Sequence, residues 1–367
     1  MSAPGRWSER TLWILAVATT SSVAALLVWR SSPGLRHATA EWAARAGALG
    51  QASPAESCEI AGTPPASGPV RLPMCRADDG GLDPWMAPEA HGPSLRALAH
   101  VSPDPEARRW VWEDVNTVPI VRWEGDARIV KSGARGRQYA VRSKVDLARA
   151  RAVELAFGYQ IDRAVIRYRT DDELVAKRAS LDGVLAEHGV VRQRTPQGDV
   201  LAPDYDWMIA ASVKDVQPIA KAILAEARRR GAQGLREEFG ALASFVQQLE
   251  YSECPNPGDD KHRFGLSMPL WALATNKGDC DTRAVLLVAL ARSVNLCEVE
   301  LVRDAAHEHM LAAAAIPVKK GDHLVRPQGR PLVLVETTDE WPVGRVARRT
   351  NQETLQTLFL ASGAGPR

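Results

Sequence analysis

The sequence predicts an α+β protein, and three observations carry that prediction. Gly278-Asp279-Cys280-Asp281 opens directly onto the apolar run Ala284 to Leu290, a polar turn followed by a helix. Val299 to Val302, His309 to Ile316 and Leu332 to Thr337 are short apolar runs separated by turn residues, as strands are. Lys144 to Phe157 and Asp171 to His188 show helical spacing on either side of Ile161 to Arg169, which alternates like a half-buried strand.

Taken in order, the chain begins with an uncharged stretch from Thr11 to Trp29, 19 residues long. At 1.5 Å per residue it is long enough to cross a hydrocarbon core of roughly 30 Å. Trp13 and Trp29 near its ends suit the two interfaces. Ala38-Thr39-Ala40 offers a signal-peptide cleavage site, but it lies well beyond the apolar run and after several charges. The expectation is a single uncleaved anchor over residues 1–33, with the rest of the chain exported and membrane-tethered.

Residues 34–105 are rich in Ala, Pro and Gly and read as a tether, with one short amphipathic helix around Ala38 to Ala48. Residues 106–205 form an α/β accessory segment. Its first strands are Trp110 to Trp112, Val118 to Trp123 and Ala127 to Val130, followed by the elements between Lys144 and His188. Residues 206–367 hold two helices, Val216 to Arg230 and Leu235 to Leu249, then a loop over 252–268. The helix from Cys280 to Val294 and the three strands follow, with the turn Arg326-Pro327-Gln328-Gly329 before the last strand. Ala312 to Ala315 is unusual for a strand, since alanine has low strand propensity; its small side chains would let the Cys280 helix approach closely.

Charge is nearly balanced, with 46 basic and 44 acidic residues, so there is no electrostatic footprint for nucleic acid. Five cysteines suit an oxidising compartment. Cys58 and Cys75 would close a short loop, and setting Cys280 aside leaves Cys254 and Cys297 as a second pair. No cysteine or histidine spacing matches a zinc site, and no cofactor motif stands out. Asp259-Asp260 with His262 reads as solvated turn residues rather than a cation site.

Cys280 stands at a helix start, where partial positive charge and free N–H groups favour thiolate, so an acidic thiol is expected. His307-Glu308-His309 and then Glu336-Thr337-Thr338 follow it along the chain. Cysteine, histidine and carboxylate, each at the edge of a core element, is the order of a nucleophile, its base and the base's orienter.

On these residues the chain resembles the transglutaminase-like superfamily, especially its bacterial transglutaminase-like cysteine proteinases. The resemblance runs from about Asp206 to Val346. It rests on Phe245 to Tyr251 ahead of the nucleophile, on Lys277 to Ala284, on His309-Met310-Leu311-Ala312, and on Val335-Glu336-Thr337-Thr338. Glu336 stands where that family usually has aspartate, with Asp339 as the other candidate. The resemblance implies a papain-like core, a nucleophile helix packed on an antiparallel sheet. It also implies a Cys280–His309–Glu336 triad performing acyl transfer on amide bonds, as a peptidase or amidase with water or as a cross-linking enzyme with an amine. His307 is the alternative base. Gln247, Gln248 and Trp271 are candidate side-chain donors for an oxyanion, and the expected partner is a protein or peptide substrate. Two other readings stay open: a catalytically silent binding or assembly module of the cell envelope, and a thiol redox protein pairing Cys280 with Cys297.

Overall fold

A computed structural model describes residues 70–72, 74–76, 105–158, 164–252, 264–348, 350 and 354–358. All of them belong to one compact unit spanning Ile60–Arg367. The first strands, β1 (Val70–Arg71) and β2 (Met74–Arg76), already join the accessory segment rather than hanging free of it. Leu72 between them is 2% exposed.

The accessory segment is built around two ten-residue antiparallel strands, β3 (Pro105–Asp114) and β6 (Arg137–Asp146). Side chains alternate across a strand, so Trp110, Trp112 and Asp114 turn inward while Arg109 and Val111 stay exposed. Tyr139, Val141 and Val145 face inward from β6. Between them β4 (Ile120–Glu124) and β5 (Ala127–Val130) make a small hairpin. The helix expected over Lys144 to Phe157 is shorter at its front. α1 (Leu147–Ala156) starts only after Asp146, whose carboxylate caps it by accepting from the Arg149 N–H. β7 (Ile166–Tyr168) and α2 (Asp171–Glu187) follow, then a hairpin that the periodicity did not reveal, β8 (Val190–Thr195) and β9 (Gly198–Pro203).

The next helix, α3 (Tyr205–Arg229), begins eleven residues before the expected Val216 and runs straight through Pro218. Proline inside a helix costs about 3 kcal/mol, and here burial outweighs it. Met208, Ile209, Ser212 and Val216 are all buried upstream of the proline, and Asp204 caps the true start through the Trp207 N–H. α4 (Gly234–Gln247), β10 (Glu250–Tyr251), α5 (Pro269–Thr275), β11 (Lys277–Gly278) and α6 (Cys280–Ser293) complete the helical half.

The last strands are β12 (Val299–Asp304), β13 (His309–Ala314), β14 (Leu324–Val325), β15 (Leu332–Val335) and β16 (Leu355–Leu358). They form one antiparallel sheet in the order β14-β15-β13-β12-β16. α6 lies on one face of it. Met310, Ala312 and Ala314 share a core with Ala284 to Ala291, and Leu311 and Ala313 belong to a second core on the other face. The alanines on the α6 side thus bring helix and sheet close, as expected. The first core also takes in Trp110, Trp112, Tyr139 and Val153, so the segments either side of residue 205 share one interior.

No helix among the described residues is long and apolar enough to cross a membrane. The expected anchor, the 38–48 helix, Cys58, Cys254 and the Asp259-Asp260-His262 cluster lie outside the described residues. Cys75 is disulfide-bonded. Cys297 is a free thiol, so the expected Cys254–Cys297 pair is not formed.

Candidate active site

Cys280 is the first residue of α6, and the turn before it holds that helix in place. Asp279 caps the helix, accepting from the Thr282 N–H at 2.8 Å. A Cβ added to Gly278 would stand 2.9 Å from Thr282 Cγ2, so glycine lets β11 lie close against the first helical turn. The accessory segment supports the same turn. Glu154 of α1 accepts from the Met268 N–H at 2.7 Å and from the Ser267 hydroxyl at 3.1 Å, and the Ser267 N–H donates to the Thr282 hydroxyl at 2.9 Å.

The Cys280 thiol donates to Asp281 Oδ1 at 3.3 Å, and the Tyr205 hydroxyl donates to Asp281 Oδ2 at 2.8 Å. The backbone N–H of Met310 also reaches the sulfur. This places Cys280 against the start of β13, one residue along from His309. Burial pushes the thiol well above its ordinary range, Asp281 and Asp279 push it the same way, and the Met310 N–H opposes them. That reverses the expected acidic thiol. A helix end contributes only about 0.3–1 kcal/mol when exposed, whereas desolvation shifts a buried group by several units. Burial and the neighbouring Asp281 also raise Asp279, to about 7, and burial raises Tyr205.

His309 opens β13 with its Nε2 3.1 Å from both carboxylate oxygens of Glu336. Glu336 follows β15 directly, and its Oε1 also accepts from the Thr337 N–H at 2.9 Å, the Thr338 N–H at 2.9 Å and the Thr338 hydroxyl at 2.6 Å. Burial alone would raise this carboxyl. His309 and Thr338 outweigh it and hold Glu336 below the ordinary carboxylate range. The alternatives lie elsewhere. His307 sits in the turn before β13, not on the strand, and its Nδ1 meets Asp304 at 2.8 Å. Asp339 is exposed.

One residue joins these parts. Arg283, a turn along α6 from Cys280, is 1% exposed and spends its guanidinium on backbone carbonyls. It donates to Gly278 at 3.0 Å, Thr337 at 3.2 Å, Thr338 at 2.9 Å, Gln247 at 3.4 Å, and Leu249. Of the three candidate oxyanion donors, Gln247 is spent on the carbonyls of Glu336 and Trp341, both at 2.8 Å, and Gln248 on Glu340. Trp271 keeps a buried indole N–H with no acceptor.

Sequence reasoning missed Tyr205 and the bracing role of Arg283. An arginine directly ahead of the apolar run 284–290 was the available signal for the second. Nothing in the sequence ties Tyr205 to Asp281 across 76 positions. Cys280 and Cys297 are both free thiols separated by the whole of α6, 14 residues or about 21 Å, far beyond disulfide reach. No group of three or more His, Cys, Asp or Glu side chains among the described residues is arranged to hold a metal ion. Comparison with protein-family models, with characterised proteins and with solved structures returns no match.

Proposed function

We propose that the protein is a cysteine-dependent acyl-transfer enzyme of transglutaminase-like, papain-like core design. Cys280 is the nucleophile, His309 its base and Glu336 the orienter. The observation that carries this reading is His309 Nε2 held at 3.1 Å from both Glu336 oxygens while the next residue's N–H meets the Cys280 sulfur. With Nε2 turned to Glu336, Nδ1 is the nitrogen that exchanges the proton. Because burial keeps Cys280 a thiol, the proton leaves as the sulfur attacks the amide carbonyl, which is general-base catalysis. The imidazolium, stabilised by Glu336, then protonates the leaving amine. Water or an amine resolves the thioester, regenerating the thiol. The N–H groups at the start of α6 and the Trp271 indole are the donors for the tetrahedral oxyanion. The substrate class is a protein or peptide amide, met outside the cytoplasm by a chain anchored through residues 11–29.

The test is mass-spectrometric trapping of an acyl-enzyme on Cys280 with a peptide thioester or an electrophilic peptide probe. A probe adduct on Cys280 that needs His309 is the expected result; labelling that ignores His309→Ala removes the reading. One observation favours the second reading, a silent binding or assembly module: the two aspartates beside Cys280 disfavour thiolate. Under that reading Cys280→Ser retains full function in the cell, which an enzyme cannot do.

A further inference from the structure

A cavity of about 250 Å³ follows β3, lined by the five consecutive residues Arg108 to Trp112 and by no residue of β6. Side chains alternate between the faces of a strand, so a cavity touching all five runs along the edge turned away from β6. Among the described residues β3 pairs with β6 alone. The Ala140 N–H of β6 meets the Glu226 carboxylate at 3.5 Å rather than β3. Ala140 and the Val111 opposite it are therefore a non-hydrogen-bonded pair, and so, two residues along, are Arg142 and Arg109. In such pairs the N–H and C=O groups point away from the partner strand. Val111 and Arg109 thus turn two donors and two acceptors to the free edge, a template for another strand.

The outer face of the same two strands is basic. Arg109 and Arg142 stand directly opposite each other, where Cα atoms are about 4.5 Å apart. Lys144 is two residues along β6 on the same face. All three are exposed, and none makes an ion pair among the described residues. Glu113, the acid on this face of β3, is engaged by the Gly136 N–H at 2.6 Å and by Gln138 at 2.9 Å. Like charges directly opposite destabilise a sheet, so this row is set to receive negative charge from outside.

We propose that β3 receives an extended acidic peptide as an added strand. The peptide main chain pairs with Arg109 and Val111 along the free edge. Carboxylates at alternate positions flank Arg109 on the outer face and offset its opposition to Arg142. The intervening apolar side chains fall on the other face, where Trp110, Trp112 and Phe245 pack together. Main-chain bonds supply the affinity and the alternation supplies the selectivity. A second copy of β3 fits worse, because it would bring the same arginines together. The site is independent of Cys280 and holds whether or not that residue is a nucleophile.

Isothermal titration of the full-length protein with acetyl-Glu-Val-Glu-Val-Glu-amide tests the site. It should bind saturably, and about tenfold more tightly than the same peptide with lysine for glutamate. Only alternate residues of an added strand donate to the edge. Of two N-methylated peptides, one methylated at both valines and one at all three glutamates, one should therefore lose binding and the other keep it. Val111→Pro removes an edge donor without breaking the β6 ladder, and should weaken the acidic peptide about tenfold. Arg109→Gln should weaken it about threefold, an exposed pair being weak. Arg122→Gln, on the exposed β4, should leave it unchanged. Absent binding, equal binding of the lysine peptide, or binding that survives in both N-methylated peptides overturns the proposal. A dimer in sedimentation that Val111→Pro abolishes identifies a second copy as the occupant and also overturns it. If Val111→Pro fails to fold, the charge swap and the N-methyl contrast still decide it.

Discussion

Arg283 donates to the Thr338 carbonyl at 2.9 Å, and Thr338 in turn holds Glu336 through both its N–H and its hydroxyl. The helix that begins with Cys280 and the acid that orients His309 are therefore braced through one threonine. The remaining Arg283 bonds fix the Thr337 carbonyl, the end of α4 and the strand before Cys280.

Replacing Arg283 with Met should cost on the order of 3–5 kcal/mol, because several buried carbonyls lose their donor at 1–3 kcal/mol each while the packing volume is kept. Arg283→Lys should recover only part, since an ammonium has three donors and no fork. Denaturant titration measures both. A Met variant as stable as the parent would mean that water serves those carbonyls instead.

The proposed triad makes a demand on four positions. His309→Ala should abolish turnover and His307→Ala should leave most of it, because His307 is bound to Asp304 and not to Glu336. Glu336→Gln should fold yet lose rate heavily; the comparable change in a serine triad costs about 10⁴. Asp339→Asn should be nearly silent. Steady-state kinetics on these variants settle the acid: a crippling Asp339→Asn with a silent Glu336→Gln reverses the assignment.

Asp281 accepts from the Cys280 thiol and adds a charge that disfavours thiolate. Asp281→Asn should lower the thiol pKa and raise the rate of iodoacetamide alkylation at pH 7, on the order of tenfold for each unit removed. Alkylation that is unchanged or slower would show that burial alone sets the thiol.

Asp279 carries a stability signature of its own. Its carboxyl is raised to about 7, so the folded state binds the extra proton. Stability is then present below the unfolded value of about 3.9 and falls as pH rises toward 7. Asp279→Asn keeps a good helix cap but has no such loss. The thermal midpoint of the Asn variant should therefore gain on the parent between pH 4 and 7, and stay level above. A difference independent of pH would mean that Asp279 ionises freely.

Much of the C-terminal half was legible because its periodicities are clean. The Cys280 helix, the strands at 299, 309 and 332 and the two helices before them all stand within a few residues of expectation, α3 excepted. Pro218 masked the first half of α3, since a proline two residues into an apolar pattern looks like a helix start. The β8–β9 hairpin was hidden by Arg192, Gln193 and Arg194; Arg192 is paired with Asp182 and Asp199, and the other two stay exposed. β6 was obscured where its charged outer face ran into the start of α1. At the site, residue types and order singled out Cys280, His309 and Glu336, which the structure brings together without testing their roles. Their local fields were not legible, because the direction of the Cys280 shift is set first by burial, which outweighs the helix end, with Asp281 and Asp279 pushing the same way.

Asn116 draws together parts of the chain that are made far apart in time. Its amide nitrogen meets Gly240 and Ser244 of α4, each at 3.0 Å, and its oxygen accepts from the Val343 N–H at 2.8 Å, 227 residues on. Closing loops of that length is entropically slow, and contacts of high sequence separation retard folding. During synthesis the turn after β3 must wait for α4 and then for the segment beyond β15 before its bonds are complete. Asn116 thus ties the turn after β3 both to α4 and to the segment beyond β15. A chain stopped at residue 205, or begun there, would leave each half with a partner it never meets.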